Sequence, residues 1–298
     1  RRVEDGQKFR YISRHLQEKM QRENLPVTVV QPRFTEDGNG WCFDSSGALW
    51  RALLFIPHAS PPLNLLSHRS LGRLLSTFHY LLDDLDCSLL QEALPGFHDL
   101  AGYLRKYDKV IAGWSGVANS DIDYGTSMVE RLRPLADEFV RTLQVGELLL
   151  QPVHGDPKLE NVLFDKEGRA LALIDLDTVG PGCIQYDLGD CLRSCCNLGG
   201  EKARRGDVRF DLESCQALLS GYLESPFPKF TADCKNAIYD GLLLVSFELG
   251  LRFFSDYLVG NRYFRVSHPA ENLQRAINQF RLVESIISQE RTIRGFLK

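Results

Sequence analysis

The sequence predicts an α+β fold in two unequal parts. A short part, one helix and three antiparallel strands, runs to about Pro57, and a mainly helical part follows to the end of the chain. Three observations predict this. Short β-branched and aromatic runs near the start are separated by turn signals, Asp37-Gly38-Asn39-Gly40 and Asp44-Ser45-Ser46-Gly47. Pro57 and then Pro61-Pro62 punctuate the chain like a hinge, and helical spacing begins after them. A single β-hairpin interrupts the helical part, with an acidic residue near each of its ends.

Each element has its own signal. Phe9 to Glu23 carries Ile12, Leu16 and Met20 at four-residue spacing, which predicts a helix. Val27-Thr28-Val29-Val30, Trp41-Cys42-Phe43 and Ala48 to Ile56 predict strands. Leu71, Leu74, Leu75, Phe78, Leu81 and Leu82 form the apolar stripe of a long helix, and Pro95-Gly96 breaks the pattern after it. Helices follow near Leu100 to Trp114 and Ser127 to Leu143. The hairpin comprises Asn161 to Phe164, the turn Asp165-Lys166-Glu167-Gly168, and Ala170 to Ile174. Beyond Tyr186-Asp187-Leu188-Gly189-Asp190 the pattern is helical. Glu201 to Asp207 is polar enough for an exposed loop, and Pro226 and Pro228 mark another.

The chain has 298 residues, enough for one large domain or two small ones. Its net charge of −4 gives no global attraction to nucleic acid or to an anionic membrane, and neither is expected as a partner. No apolar run approaches the roughly 18 residues of a membrane span. The first residues have no apolar core like that of a signal peptide. The eight cysteines lack paired metal-site spacing. Cys191, Cys195 and Cys196 are read as reduced thiols rather than metal ligands, which fits a cytoplasmic protein. The chain begins with Arg1, so a fragment, a processed form or an incomplete reading frame is expected.

The chemistry is concentrated in His154-Gly155-Asp156-Pro157-Lys158-Leu159-Glu160-Asn161 and in Leu173-Ile174-Asp175-Leu176-Asp177. A kinase fold builds its site from such parts: an Asp that accepts the proton of the attacking hydroxyl, and an Asn and a later Asp that hold Mg2+ on the ATP phosphates. Asp156 is therefore the candidate base, and Asn161 and Asp175 supply hard oxygen ligands to the metal. The hairpin between them lets both acidic groups converge. On a strand, Asp177 would face the same side as Asp175, either to bind a second Mg2+ or to accept backbone donors. Lys158 either neutralises phosphate or is solvated. Asp187 and Asp190 are expected to brace the loop through its backbone N–H groups.

These motifs resemble the aminoglycoside phosphotransferase and choline kinase superfamily, and within it the N-acetylhexosamine 1-kinases. The resemblance rests on His154 to Asp165, on Ile174 to Gly182, and on Tyr186 to Arg193. Further echoes lie in Glu248 to Phe264, Asn272 to Gln279, Trp50-Arg51 and Pro95 to His98. It implies a protein-kinase-like two-lobe fold and ATP- and Mg2+-dependent phosphorylation of the anomeric hydroxyl of a hexosamine. It implies Arg252 and Tyr263 as sugar contacts, more weakly Phe97-His98, and His154 as a support of the loop.

One departure matters. A kinase small lobe begins with strands that carry a glycine-rich loop and a phosphate-gripping lysine. Here the sequence opens at the helix that should follow them, and Lys8 and Lys19 belong to that helical region. A truncated small lobe over 1–57 and a large lobe over 58–298 are expected. Two alternatives stay open: a different acceptor, such as an aminoglycoside, choline or another amino alcohol, and a catalytically silent kinase-like binding protein.

Overall fold

Helix α1 (Val3–Arg22) starts a turn and a half before its apolar spacing predicts and buries Phe9, Ile12 and Leu16. The computed structural model describes residues 3–90, 94, 96–146, 148, 150–201, 203, 207–225 and 232–298; Pro95, Pro226 and Pro228 lie outside them. The described residues divide into two compact units. The first falls within Arg1–Pro95, Leu150–Asp187 and Glu213–Phe230, the second within Gly96–Leu149, Leu188–Leu212 and Thr231–Lys298.

In the first unit, α1 is followed by four strands of two residues each. Strand β1 (Pro32–Arg33) pairs antiparallel with β4 (Ala52–Leu53), and β2 (Cys42–Phe43) with β3 (Leu49–Trp50). The continuous strand expected over Ala48 to Ile56 is thus broken at Arg51, and its halves pair with different partners. Arg51 leaves the ladder because its guanidinium lies over the Phe9 ring at 4.6 Å and pairs with Asp177. The Val27 to Val30 run forms no ladder either. Val29 and Val30 are buried, and the Thr28 N–H donates to the Leu171 carbonyl at 3.2 Å. Phe43 and Trp50 on these short strands, and Phe55 just beyond β4, stay 55 to 76% exposed.

Helix α2 (Leu65–Leu82) follows. Asn64 caps it, accepting the Leu66 and Ser67 N–H groups, and its stripe of Leu71, Leu75, Leu81 and Leu82 is fully buried. Later in the chain, β5 (Gln151–Val153) pairs with β8 (Gly180–Gly182), and β6 (Val162–Phe164) with β7 (Ala170–Leu173), antiparallel in both cases. The β6–β7 pair is the expected hairpin. The Ala59 N–H donates to the Phe164 carbonyl at 2.7 Å, which adds a bridge beside β6.

The second unit is helical: α3 (Leu100–Gly113), α4 (Ser120–Gln144), most of α5 (Ile184–Cys195), α7 (Ala232–Leu258), α8 (Glu271–Ser288) and α9 (Glu290–Phe296). Helix α6 (Leu212–Leu223) packs in the first. The long helices α7 and α8 lie together, and Phe247, Phe254 and Phe280 form their shared core. In the segment expected as an exposed loop over Glu201 to Asp207, Asp207 is exposed, whereas Ala203 and Glu201 are held against α8. Ala203 is buried with its carbonyl bound by Asn278, and Glu201 pairs with Arg275 at 2.7 Å. The eight cysteines are free thiols, Cys191 and Cys196 buried among them. Among the described residues no helix is long and apolar enough to cross a membrane.

Candidate active site

Strand β5 delivers His154 and Gly155 into a tight turn. Gly155 has φ +84°, and a Cβ there would lie 2.7 Å from the Thr178 carbonyl oxygen, so no other residue fits without strain. The turn is held from below by Asp187, in the first turn of α5. Its carboxylate accepts the His154 N–H at 3.0 Å and the Gly155 N–H at 2.7 Å. It also lies 2.7 Å from His79 Nε2, and His79 Nδ1 lies 2.7 Å from the Tyr222 hydroxyl. One neutral tautomer satisfies the chain: Nε2–H donates to Asp187 and Nδ1 accepts from Tyr222. Tyr222 reaches His79 because α2 and α6 cross without a gap. A Cβ on Gly72 would lie 2.0 Å from the Leu218 carbonyl oxygen. Burial raises the Asp187 carboxyl, but the hydrogen bonds from His79 and from the Gly155 backbone oppose it, and the group is held below its ordinary value.

His154 is fully buried, and burial lowers its imidazole against the opposing pull of Asp187. Its Nε2–H donates to the Ile174 carbonyl at 3.0 Å, while its Nδ1 accepts the Asp156 N–H at 3.2 Å. It is a neutral strut between the loop and the end of the hairpin.

Asp156 follows directly. Its carboxylate is paired with the Lys158 ammonium and accepts the Asn161 Nδ2–H at 3.1 Å. The same Asn161 nitrogen donates to the Asp156 carbonyl at 2.8 Å. With its nitrogen so engaged, Asn161 has its Oδ1 left for a cation. The Asn161 carbonyl accepts the Ile174 N–H at 2.9 Å, which sets Asp175 beside it at the end of β7. Asp175 adopts φ +64°, ψ +56°, and it heads the short 3-10 turn Leu176–Thr178 without capping it. An Asp in the left-handed region that does not cap is held there by its surroundings, as at sites where a side chain is aimed for use. Among the described residues no group of three or more His, Cys, Asp or Glu forms a metal cage. An amide oxygen and a carboxylate do suit Mg2+, which completes its shell with water and phosphate oxygens.

Asp177 corrects the strand reading. It lies in the 3-10 turn rather than on a strand with Asp175, and Arg51 grips it end-on with two N–O distances of 2.7 Å. The pair is mostly buried, Arg51 9% and Asp177 18% exposed by side chain. Buried Lys8 donates to the Asp177 carbonyl at 3.0 Å. Two cations from the first 51 residues therefore close on the turn that carries Asp175. Lys19 is used elsewhere, on Asp83, on Asp84 at 2.8 Å and on the Tyr80 carbonyl at 2.6 Å. Asp190, expected to brace the loop, pairs instead with Arg193 at 2.7 Å.

The second unit holds another cluster. The Arg252 guanidinium lies over Phe97, Tyr103 and Phe264 at 5.1 to 5.6 Å, and 3.9 Å from the buried Glu248. Glu248 also meets His98 Nδ1 at 2.9 Å, and His98 sits at φ +59°. Burial pushes the Tyr103 hydroxyl up to about 12. Tyr263 is 63% exposed on a loop that Asp256 organises by accepting the Arg262, Tyr263 and Phe264 N–H groups at 2.9 to 3.0 Å. The structure thus gathers Asp156, Lys158, Asn161 and Asp175 in the first unit, and Phe97, His98, Arg252 and Tyr263 in the second.

His79, Lys8, Arg51, Glu248 and Asp256 carry these networks without having been assigned roles from sequence. A signal existed for some. His79 interrupts an apolar stripe, and Glu248 and Asp256 interrupt an apolar helix. A charged or polar residue in a buried face needs a partner.

The family model of the phosphotransferase enzyme family, APH, matches residues 1–221. Arg252 and Tyr263 lie beyond that span. Among solved structures, the chain is similar to an aminoglycoside phosphotransferase from Alicyclobacillus acidocaldarius, with a TM-score of 0.60 and 14% identity over 96% of this chain and 84% of that one. It is similar to an ethanolamine kinase from Plasmodium vivax, with a TM-score of 0.56 and 12% identity over 96% and 73%. It is also similar to an amicoumacin kinase in complex with AMP-PNP, Ca2+ and Ami, with a TM-score of 0.56 and 15% identity over 94% and 78%. The shared architecture is the kinase-like α+β fold. A model match over almost three quarters of the sequence, including the whole of the Asp156 to Asp187 geometry, decides the family: the chain belongs to the APH phosphotransferase enzymes.

Proposed function

We propose that this chain is an ATP- and Mg2+-dependent small-molecule kinase that transfers a phosphoryl group directly, in line, to the anomeric hydroxyl of an N-acetylhexosamine. The carrying observation is the Asp156 carboxylate, set on a loop that Asp187 pins at two backbone N–H groups. Asp156 accepts the proton of the attacking hydroxyl and aligns it. Lys158, paired with that carboxylate, keeps positive charge where phosphate oxygens arrive. Mg2+ would be held by Asn161 and Asp175, and when bound it neutralises charge on the ATP phosphates. Asp177 is held by Arg51 in support of Asp175 rather than as a second metal ligand. His154 and Asp187 support the loop, and Asp190 supports α5 through Arg193.

Arg252 and Tyr263 are the sugar contacts in this reading. An amine acceptor would call for open aromatic faces or a spare carboxylate. Here the guanidinium of Arg252 already covers Phe97, Tyr103 and Phe264, and Glu248 is matched by His98 and Arg252. That arrangement favours a neutral polyol over the amino alcohols named for the ethanolamine kinase. The proposal includes the lobe division at 1–57 and 58–298 and a cytoplasmic location, the latter on the free thiols.

The test is Mg2+-dependent transfer from ATP to a panel of N-acetylhexosamines, aminoglycosides and choline. Transfer to a hexosamine is expected, and Asp156→Asn should lower it by about 10²–10⁴-fold with the fold intact by circular dichroism. Retained activity in that variant removes the base assignment. Transfer to choline or an aminoglycoside alone overturns the acceptor, and no transfer by the folded chain favours a silent binding protein.

A further inference from the structure

Away from the Asp156 loop, the first unit holds a cavity of about 280 Å³ between α1 and β1. Arg10, Ser13, Arg14 and Gln17 line it from the helix, and Gln31, Pro32 and Phe34 from the strand side. On α1 the four polar residues fall at i, i+3, i+4 and i+7, so they share one face. That face adjoins the buried Phe9, Ile12 and Leu16 face and meets it at Ser13, which is buried with them.

The lining carries two guanidinium groups and no carboxylate. Two of its polar atoms are buried without a hydrogen-bond partner, the Ser13 hydroxyl and Arg10 Nε. Ser13 is 2% exposed. Buried donors are normally satisfied, so two orphans in one cavity point to a missing acceptor. Arg10 is already oriented. It donates to the Gly38 carbonyl at 3.0 Å and lies over the Phe34 ring at 5.2 Å. A preset guanidinium loses little freedom when it binds an oxyanion, and the planar fork matches phosphate oxygens.

We propose that this cavity binds a small phosphomonoester, with the phosphate on Arg10, Arg14 and Ser13 and the organic part against Gln17, Gln31 and Phe34. The size decides the class. Pockets for drug-sized ligands start near about 300 Å³, so this one suits a sugar-phosphate-sized molecule. It exceeds what inorganic phosphate fills. The two Gln amides and the apolar wall give a polyol hydrogen bonds and a face to lie on.

The test is calorimetric titration of this chain, without ATP, using inorganic phosphate, glucose 6-phosphate, N-acetylglucosamine 1-phosphate and unphosphorylated N-acetylglucosamine. Saturable binding of at least one phosphorylated sugar is expected, tighter than inorganic phosphate and weakened by added salt. Arg14→Glu should weaken it at least tenfold and Ser13→Ala about threefold, with AMP-PNP binding unchanged in both. Arg14 is exposed, so its variant should fold. If it does not, Arg14→Gln gives the same reading at a smaller effect. Binding that survives Arg14→Glu lies at another site and overturns the proposal, as does the absence of saturable binding at millimolar sugar phosphate. Loss of kinase activity in Asp156→Asn leaves this result untouched, so the two readings fail separately.

Discussion

Asp187 and Asp256 do the same job in different units. Each is a buried carboxylate that gathers consecutive backbone N–H groups and so shapes a loop bearing candidate functional side chains. They differ in what lies behind them. Asp187 backs onto His79 and, through it, Tyr222, all inside the core of the first unit. Asp256 backs onto Asn272, a neutral amide at 3.0 Å, and its loop presents the exposed Tyr263. The Asp187 loop carries proton and phosphate chemistry in this reading, where small displacements are costly. The Asp256 loop carries an acceptor contact, where some adaptability is tolerable. The depth of the support matches the precision each loop needs.

Removing the deeper support should do the most damage. Asp187→Ala leaves His79 and two backbone N–H groups unpaired inside the protein, each at a cost of about 1–3 kcal/mol. Urea unfolding should show that loss, with activity gone even where the chain still folds. Asp256→Ala should cost less, about 1–3 kcal/mol, because the freed N–H groups lie on a surface loop that water can reach. It should raise the KM for the acceptor and leave AMP-PNP affinity in place. Equal losses in the two variants would end the distinction.

Acid should act on the first unit in two stages. Native His154 has a lowered pKa, so between its ordinary value of 6.5 and its native one the unfolded chain binds a proton that the folded chain refuses. Stability therefore falls as pH drops below 6.5, by at most about 1.4 kcal/mol per pH unit for one proton. Native Asp187 is also lowered. Its contribution is intact above the ordinary value of 3.8 and lost as pH falls through the native one. His154→Gln should abolish the first stage of the acid profile and leave the second.

What sequence revealed follows from range. The Asp156 loop, the hairpin and Asp175 are contiguous, and their signals are turn residues and alternation, which are local. Asp187 was expected to brace the loop through backbone N–H groups, but what stands behind it was not visible. Its partner His79 lies 108 residues away, and no local pattern links them. The same is true of Arg51 and Lys8, which meet Asp177 across 126 and 169 residues. That distance also explains the strand over Ala48 to Ile56. Its composition is strand-like throughout, and the break comes from a pair formed with a turn far along the chain. The placement of Asp177 was missed for a second reason: alternation assumes a strand, and the left-handed Asp175 ends it.

Asp177 supplies the finest test of the comparison, since it is a third aspartate holding structure in place but more open to water than Asp187 or Asp256. A mostly buried, end-on Arg–carboxylate pair should couple more strongly than an exposed one, whose worth is about 0–1 kcal/mol. A double-mutant cycle with Arg51→Gln and Asp177→Asn should give a coupling near about 1 kcal/mol in urea unfolding, well below the Asp187 effect. The cycle has a second readout. If the pair steadies the turn that carries Asp175, either single variant should weaken Mg2+-dependent AMP-PNP binding by several-fold, and exchanging the two residues (Arg51→Asp with Asp177→Arg) should restore part of it. Coupling in stability with unchanged Mg2+ dependence would confine the clamp to folding. Weakened Mg2+ binding in Asp177→Asn alone, with Arg51→Gln unaffected, would instead return Asp177 to the metal.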